Sequence, residues 1–121
     1  MDSGLYVAVF RLVQPHEIAV GRLGRHRFPV GFYFYVGSAQ RNLPARLARH
    51  AKKSKPLRWH ADYLSVVAEM IGAMIVAGPQ SQECALAGQL AELFDVPVPG
   101  FGSSDCGCPS HLFYSQRLGE V

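Results

Sequence analysis

The sequence predicts an α+β fold with a central antiparallel three-stranded sheet flanked by helices and an extra C-terminal strand. Three observations carry this reading: strand-like runs fill the first third, amphipathic helical runs follow, and a β-branched run and a short aromatic run return later. With 121 residues, 49% of them hydrophobic, the chain can fill one core and has no room for a second. Residues 1–121 are therefore expected to form a single domain.

LYVAVFRLV (5–13) is β-branched and aromatic, QPHE (14–17) is a turn signal, and IAVGRL (18–23) then reads as the returning arm of a hairpin. GRHRFPVG (24–31) is a Gly- and Pro-punctuated connection to the strand FYFYVG (32–37). In that strand Phe32 and Phe34 supply an apolar face at a two-residue period, which leaves Tyr33 and Tyr35 on the other. LPARLARHAKK (43–53) is helical, with Asn42 as N-cap and Pro44 in the first turn, where its missing N–H costs nothing. Leu43 and Leu47 share one helical face; Arg46, Arg49, His50 and Lys53 share a second.

SKPLRW (54–59) is a loop, and HADYL (60–64) a helical turn. VVAEMIGAMIVAG (66–78) reads as one or two strands, with a buried helix as the alternative. SQECALAGQLAELF (81–94) is the clearest helix: Ser81 caps it, and Cys84, Leu86, Ala87, Leu90, Leu93 and Phe94 form its apolar stripe. PVPGFGSSDCGCPS (97–110) is a loop, and HLFYS (111–115) is the final short strand.

The formal net charge is only +3, but its distribution is uneven. Ten of the twelve Lys and Arg residues lie between Arg22 and Arg58, a window without Asp or Glu, as expected of a phosphate-facing surface. The longest apolar stretch, within 64–77, is interrupted by Glu69 and Gly72 and is too short to cross a bilayer as a helix. The N-terminus MDSGLYVAVF lacks a basic n-region, so no signal peptide is read and a cytoplasmic location follows. Cys84, Cys106 and Cys108 are an odd set without framework spacing, which argues for a reducing compartment.

Gly4-Leu5-Tyr6 and Tyr35-Val36-Gly37, followed by a helix carrying Arg46 and His50 one turn apart and by a later Glu83, resemble the GIY-YIG nuclease superfamily. The strings YVGSA, WHADYL and GFGSSDCGCPSHLFY are similar to a small stand-alone, endonuclease-like branch of it. The resemblance implies a GIY-YIG-like domain that hydrolyses phosphodiester bonds in DNA with Mg²⁺ or Mn²⁺. It implies that Tyr6 and Tyr35 stand on neighbouring strands, that Arg46 stabilises charge at the phosphate, that Glu83 holds the metal, and that His50 lies near the nucleophile. The sequence departs from the pattern in two ways. Leu5 and Val36 replace isoleucine, and the tyrosines stand 29 positions apart, so 18–31 has to be an inserted strand and loop.

The chemistry agrees with these residue types. A phenol close to a cation can accept a proton, a planar guanidinium binds two phosphate oxygens, and a carboxylate with water suits a hard divalent ion. Gly37-Ser38 reads as a corner that lets the backbone approach the substrate, with Ser38 on a phosphate. Arg41, Arg49, Lys52, Lys53 and Arg58 are the expected nucleic-acid contacts, and His60 and Asp105 the accessory groups. No second DNA-binding module is visible, so affinity comes from this basic surface or from a targeting protein partner.

Each residue also has a plainer reading. The tyrosines can be cross-strand packing partners, Glu83 a first-turn acid, and His60 and Asp62 a capping turn beneath Trp59. Two other functional classes are open: a nucleic-acid-binding module without cleavage, and a zinc-stabilised interaction domain. The last would use Cys106, Cys108 and His111, with Cys84 completing four ligands, although CxC followed by a near histidine is an unusual zinc spacing.

Overall fold

The computed structural model describes residues 2–103 and 107–117. Strand β1 (Gly4–Leu12) is central: it pairs antiparallel with β4 (Gly31–Ala39) on one side and with β5 (Glu69–Val76) on the other. The last strand, β6 (Leu112–Ser115), adds to the free side of β4, giving a four-stranded sheet in the order β5-β1-β4-β6.

Strand β1 is not the arm of a hairpin with the segment that follows it. Strands β2 (His16–Ala19) and β3 (Arg25–Phe28) pair with each other in a separate two-stranded ribbon. The reason lies in the side chains. Nearly every residue of β1 is buried, and the strands beside it, β4 and the apolar β5 (EMIGAMIV), offer it few polar side chains; in HEIA and RHRF polar side chains stand in alternation toward solvent. The ribbon is the insertion implied by the spacing of the tyrosines, and it leaves the β1–β4 ladder continuous from Gly4↔Ala39 to Leu12↔Gly31.

Helices cover both faces of the sheet. Leu43 and Leu47 of α1 (Leu43–Ala51) and Ala61 and Leu64 of α2 (His60–Ser65) pack with Tyr6, Ala8, Phe10, Leu12 and Tyr33. On the reverse face Leu86, Ala87 and Leu90 of α3 (Glu83–Leu93) pack with Val7, Phe34, Val36 and Phe113, and Phe94 stacks on Phe34 with ring centroids 4.6 Å apart. The tyrosine face of β4 is thus also core: Tyr33 is fully buried, and its hydroxyl donates to the Pro29 carbonyl at 2.5 Å.

The helix starts differ from the capping expectations. Asn42 takes left-handed geometry and offers no side-chain cap; the α1 entrance is instead held from the N-terminus, where Asp2 accepts from the backbone N–H of Asn42 (3.0 Å) and of Leu43 (2.9 Å). Ser81 sits inside a single 3₁₀ turn, Gln80–Gln82, and α3 begins directly after it at Glu83. Leu93, expected in the apolar stripe, is 73% exposed because the helix ends there and turns its last residue outward. The 66–78 segment contains a single edge strand, β5, with a register shift opposite Val9/Phe10.

Candidate active site

Four elements converge at one end of the sheet. Tyr6 lies on β1, Tyr35 and Ser38 on β4, Arg46 on α1 and Glu83 at the first position of α3, and all five line one cleft of about 250 Å³. Gly37, Arg58, Trp59, His60, Gln80 and Gly102 complete its wall. Gly37 and Ser38 form no corner: β4 runs on through Ala39. The glycine serves a different purpose. Gly37 is directly opposite Tyr6 in the ladder, and a methyl group on its Cα would overlap the phenol ring. Gly102 plays the same part for the second tyrosine, since an added Cβ would come within 2.9 Å of the Tyr35 ring. Its φ of +71° is also one that glycine adopts without strain.

The phenol of Tyr6 is held from behind by the buried imidazole of His50, with Nε2 2.8 Å from the hydroxyl oxygen. Burial pushes the Tyr6 hydroxyl up to about 12 even though the Arg46 guanidinium beside it draws it down. Tyr35 is raised as well, by burial first and then by Tyr6 and Glu83. The nearby cation therefore does not by itself produce a phenolate; enclosure of the rings wins. His50 is lowered to about 4, chiefly by burial and then by Lys55, so it is neutral. Its Nδ1 has no hydrogen-bond partner among the described residues. A buried bare lone pair is a lesser loss than a buried N–H, which favours the tautomer whose Nε2–H donates to the Tyr6 oxygen.

Arg46 donates to the Ser38 carbonyl at 3.0 Å and lies over the Trp59 ring, 4.9 Å from its centroid. Glu83 accepts a hydrogen bond from the Ser38 hydroxyl through Oε1, and its Oε2 is 2.9 Å from His111 Nδ1. Burial raises its carboxyl, but the bonds to His111 and Ser38 and the charge of Arg46 hold it below the usual carboxylate range. The donor set of carboxylate and hydroxyl oxygens beside an open cleft fits a hard divalent ion with water among its ligands.

A family model described as a domain of unknown function, DUF123, matches residues 5–121. The chain belongs to the DUF123 family. No curated protein and no solved structure matches it at a significant level.

In this DUF123 chain the other expected site residues separate into groups. Arg58 and His60 join the cleft, where His60 Nδ1 accepts the Gly102 N–H at 2.8 Å. Arg41 lines an adjoining hollow with Ser38, Arg46 and Gln80, and Lys52 and Lys53 are exposed beyond the end of α1. His50 is not on the cleft wall; it acts on Tyr6 from the core side. Asp105 and Cys106 lie outside the described residues.

Arg49, expected at the nucleic acid, is tethered by the fold, with 23% of its side chain exposed. Its Nη1 and Nη2 form a fork on Asp62 at 2.7 and 3.0 Å, Nη2 also donates to the Pro56 carbonyl, and its guanidinium covers Trp59 at 4.4 Å. Asp62 is fully buried and accepts the backbone N–H groups of Arg58 and Trp59, so it is the cap of α2 and not an acid–base group. Lys55 is turned inward too: its ammonium donates to the carbonyls of Arg49 and His50 at the end of α1, and its side chain is 2% exposed. The basic window therefore includes two cations with structural duties.

Gln80 and the Gly102 turn join the cleft without being expected there, and no sequence signal marks Gln80. The sequence places His111 only beside the cysteines, yet it also contacts Glu83. A second group stands there: one ligand atom each from Cys84, Cys108 and His111 lie within 4.8 Å of one another, close enough to hold a metal ion. Among the described residues no helix is long and apolar enough to cross a membrane.

Proposed function

We propose that this DUF123 chain is a metal-dependent endonuclease that hydrolyses phosphodiester bonds in DNA, of the GIY-YIG kind its motifs resemble. The observation that supports it most is the meeting of Tyr6, Tyr35, Arg46 and Glu83, from four different elements, on one cleft. Packing partners and surface charges have no reason to converge in this way.

Each residue has a role that follows from its chemistry. The DNA backbone lies over the cleft mouth, where Arg46 and Arg58 neutralise phosphate oxygens. Tyr6 is the general base for the attacking water, and donors from His50 and Arg46 stabilise its phenolate. Tyr35 orients the water by hydrogen bonding. Glu83, with Ser38, holds Mg²⁺ or Mn²⁺, which supplies Lewis-acid charge stabilisation when bound. Arg41, Lys52 and Lys53 extend the interface along the backbone. Zinc, by the softness of two thiolates and an imidazole, is the fitting ion for the separate Cys84, Cys108 and His111 cluster. A reducing cytoplasm keeps those thiols available.

The test is nicking of supercoiled plasmid by purified protein with Mg²⁺ or Mn²⁺, beside Tyr6→Phe, Arg46→Ala and Glu83→Ala. Nicking that each variant lowers by at least a hundredfold is the expected result. Salt-sensitive DNA binding without nicking in either metal would leave the non-catalytic binding module as the reading to keep.

A further inference from the structure

Among the described residues the imidazole of His111 has neighbours of different chemistry at its two ring nitrogens. Nδ1 is 2.9 Å from the Glu83 carboxylate, and Nε2 is 3.9 Å from Cys84 Sγ. The ring is buried, so its orientation is set by packing and by these contacts. Cys108 Sγ is the third atom of the group, all three lying within 4.8 Å of one another.

The spacing suits a tetrahedral soft ion. With metal–sulfur and metal–nitrogen bonds of about 2.3 and 2.0 Å, adjacent ligand atoms stand about 3.5 Å (sulfur to nitrogen) to 3.8 Å (sulfur to sulfur) apart. The 3.9 Å separation of Cys84 Sγ from His111 Nε2 is nearly that already, and a small contraction closes the rest. The tautomer also matches. With its proton on Nδ1, toward the Glu83 carboxylate 2.9 Å away, the ring would turn the Nε2 lone pair to the sulfurs, as in the carboxylate–histidine–metal relays that hold ligating imidazoles in place.

We infer that Cys84, Cys108 and His111 bind a zinc-class cation, and that this ion positions Glu83 by fixing the His111 imidazole between them. The metal-binding part stands on the donor geometry alone; the consequence for catalysis rests on the nuclease reading of Glu83. His111 is a positioning residue in this arrangement. It touches neither substrate nor the hydrolytic ion, and it links a soft-metal site to the cleft through the 2.9 Å contact of its Nδ1 with Glu83. Glu83 and Cys84 are consecutive on α3, so occupancy also pins the first turn of the helix that carries the carboxylate.

The probe is Co²⁺ titrated into metal-free, reduced full-length protein, followed by competition with Zn²⁺. One equivalent of Co²⁺ giving thiolate charge-transfer absorption and tetrahedral d–d bands, displaced by Zn²⁺, is the expected result. Cys84→Ser, Cys108→Ser and His111→Ala each remove those bands, with circular dichroism confirming that the variants fold. Glu83→Gln keeps the bands but weakens affinity roughly 10- to 100-fold, the usual effect of losing a carboxylate behind a ligating histidine. Glu69→Gln, on the far edge of the sheet, leaves affinity unchanged.

Absence of thiolate bands in the parent, or bands that survive in the Cys84 and Cys108 variants, would overturn the metal site. Equal affinity in Glu83→Gln and parent would overturn the coupling. Nicking is scored separately: a protein that binds cobalt as described and never nicks DNA counts against the nuclease reading alone.

Discussion

Tyr6 and Gly37 stand directly opposite each other on β1 and β4, and the phenol ring occupies the space where a side chain at 37 would be. The ring is fixed in this way between the glycine on one strand and the His50 hydrogen bond behind it. Gly37→Ala forces the ring aside from its position between Gly37 and His50, at a cost of about 1–3 kcal/mol. Chemical denaturation measures that loss. Nicking should fall more steeply than stability, because a misplaced base loses rate at about 1.4 kcal/mol per tenfold.

Asp62 anchors a buried polar network that includes the Arg49 fork, two backbone N–H groups and Lys55 at 3.9 Å. Removing one partner of such a pair leaves the other charge uncompensated, so Asp62→Ala should lower stability by about 3–5 kcal/mol. Arg49→Ala should cost less, since the Asp62 carboxylate keeps its two backbone N–H donors and the Lys55 ammonium. The double variant should be less destabilised than the sum of the two, and a double-mutant cycle in urea reads the coupling.

Two acid transitions are expected in the stability profile. His50 is lowered to about 4, from 6.5 when unfolded. Between these values the unfolded chain binds a proton that the folded chain refuses, so stability falls as pH drops through that window. The loss amounts to roughly 3 kcal/mol at its fullest. His50→Gln should flatten that limb in denaturation midpoints measured from pH 7 to pH 4. Burial pushes the Asp62 carboxyl up, but the Arg49 fork and the backbone N–H groups of Trp59 and Arg58 hold it below its ordinary range. Its stabilisation is present above the unfolded carboxylate pKa and is lost only as pH falls through the lower folded value. Asp62→Asn should therefore remove the more acidic contribution, and, since the Asp62 charge also draws the His50 pKa up, it should shift the His50 limb to lower pH.

For the nuclease reading, the pH dependence of single-turnover nicking is informative. Tyr6 stands near 12 in the absence of substrate and metal, so its phenolate is scarce at neutral pH. The rate should climb with pH across 6–9, approaching tenfold per unit where chemistry limits it. Tyr6→Phe should abolish the climb together with the activity.

The exposed and tethered cations should behave differently in DNA binding. Lys52→Ala with Lys53→Ala should reduce the slope of log K against log salt by about one unit for each phosphate that is no longer neutralised. Arg49→Ala should change that slope little, because its guanidinium is taken up by Asp62 and Pro56. Fluorescence anisotropy on a duplex at several salt concentrations separates the two.

Several features were legible without coordinates because they depend on local periodicity. The long strands at β1 and β4, helix α1 with Pro44 in its first turn, and the short α2 all follow from side-chain spacing and backbone chemistry. The capping role of Asp62 was also readable from its place at the start of α2. The pairing of β1 was not. Which strands neighbour a central strand depends on contacts between distant segments, here β1 with β4 and β5, that no local pattern expresses.

By itself, then, the sequence determined the α+β class, most element boundaries, and a short list of residues fit for phosphate and metal chemistry. Only the tertiary structure decided which of those residues meet. It brought Tyr6, Tyr35, Arg46 and Glu83 to one cleft, withdrew Arg49 and Lys55 into the scaffold, and placed His111 between Glu83 and Cys84. The physical reason is that a side chain's charge or donor atoms are written in its identity. Its partners and its burial, which decide whether that charge is spent on the fold or left for a ligand, arise only when distant segments pack together.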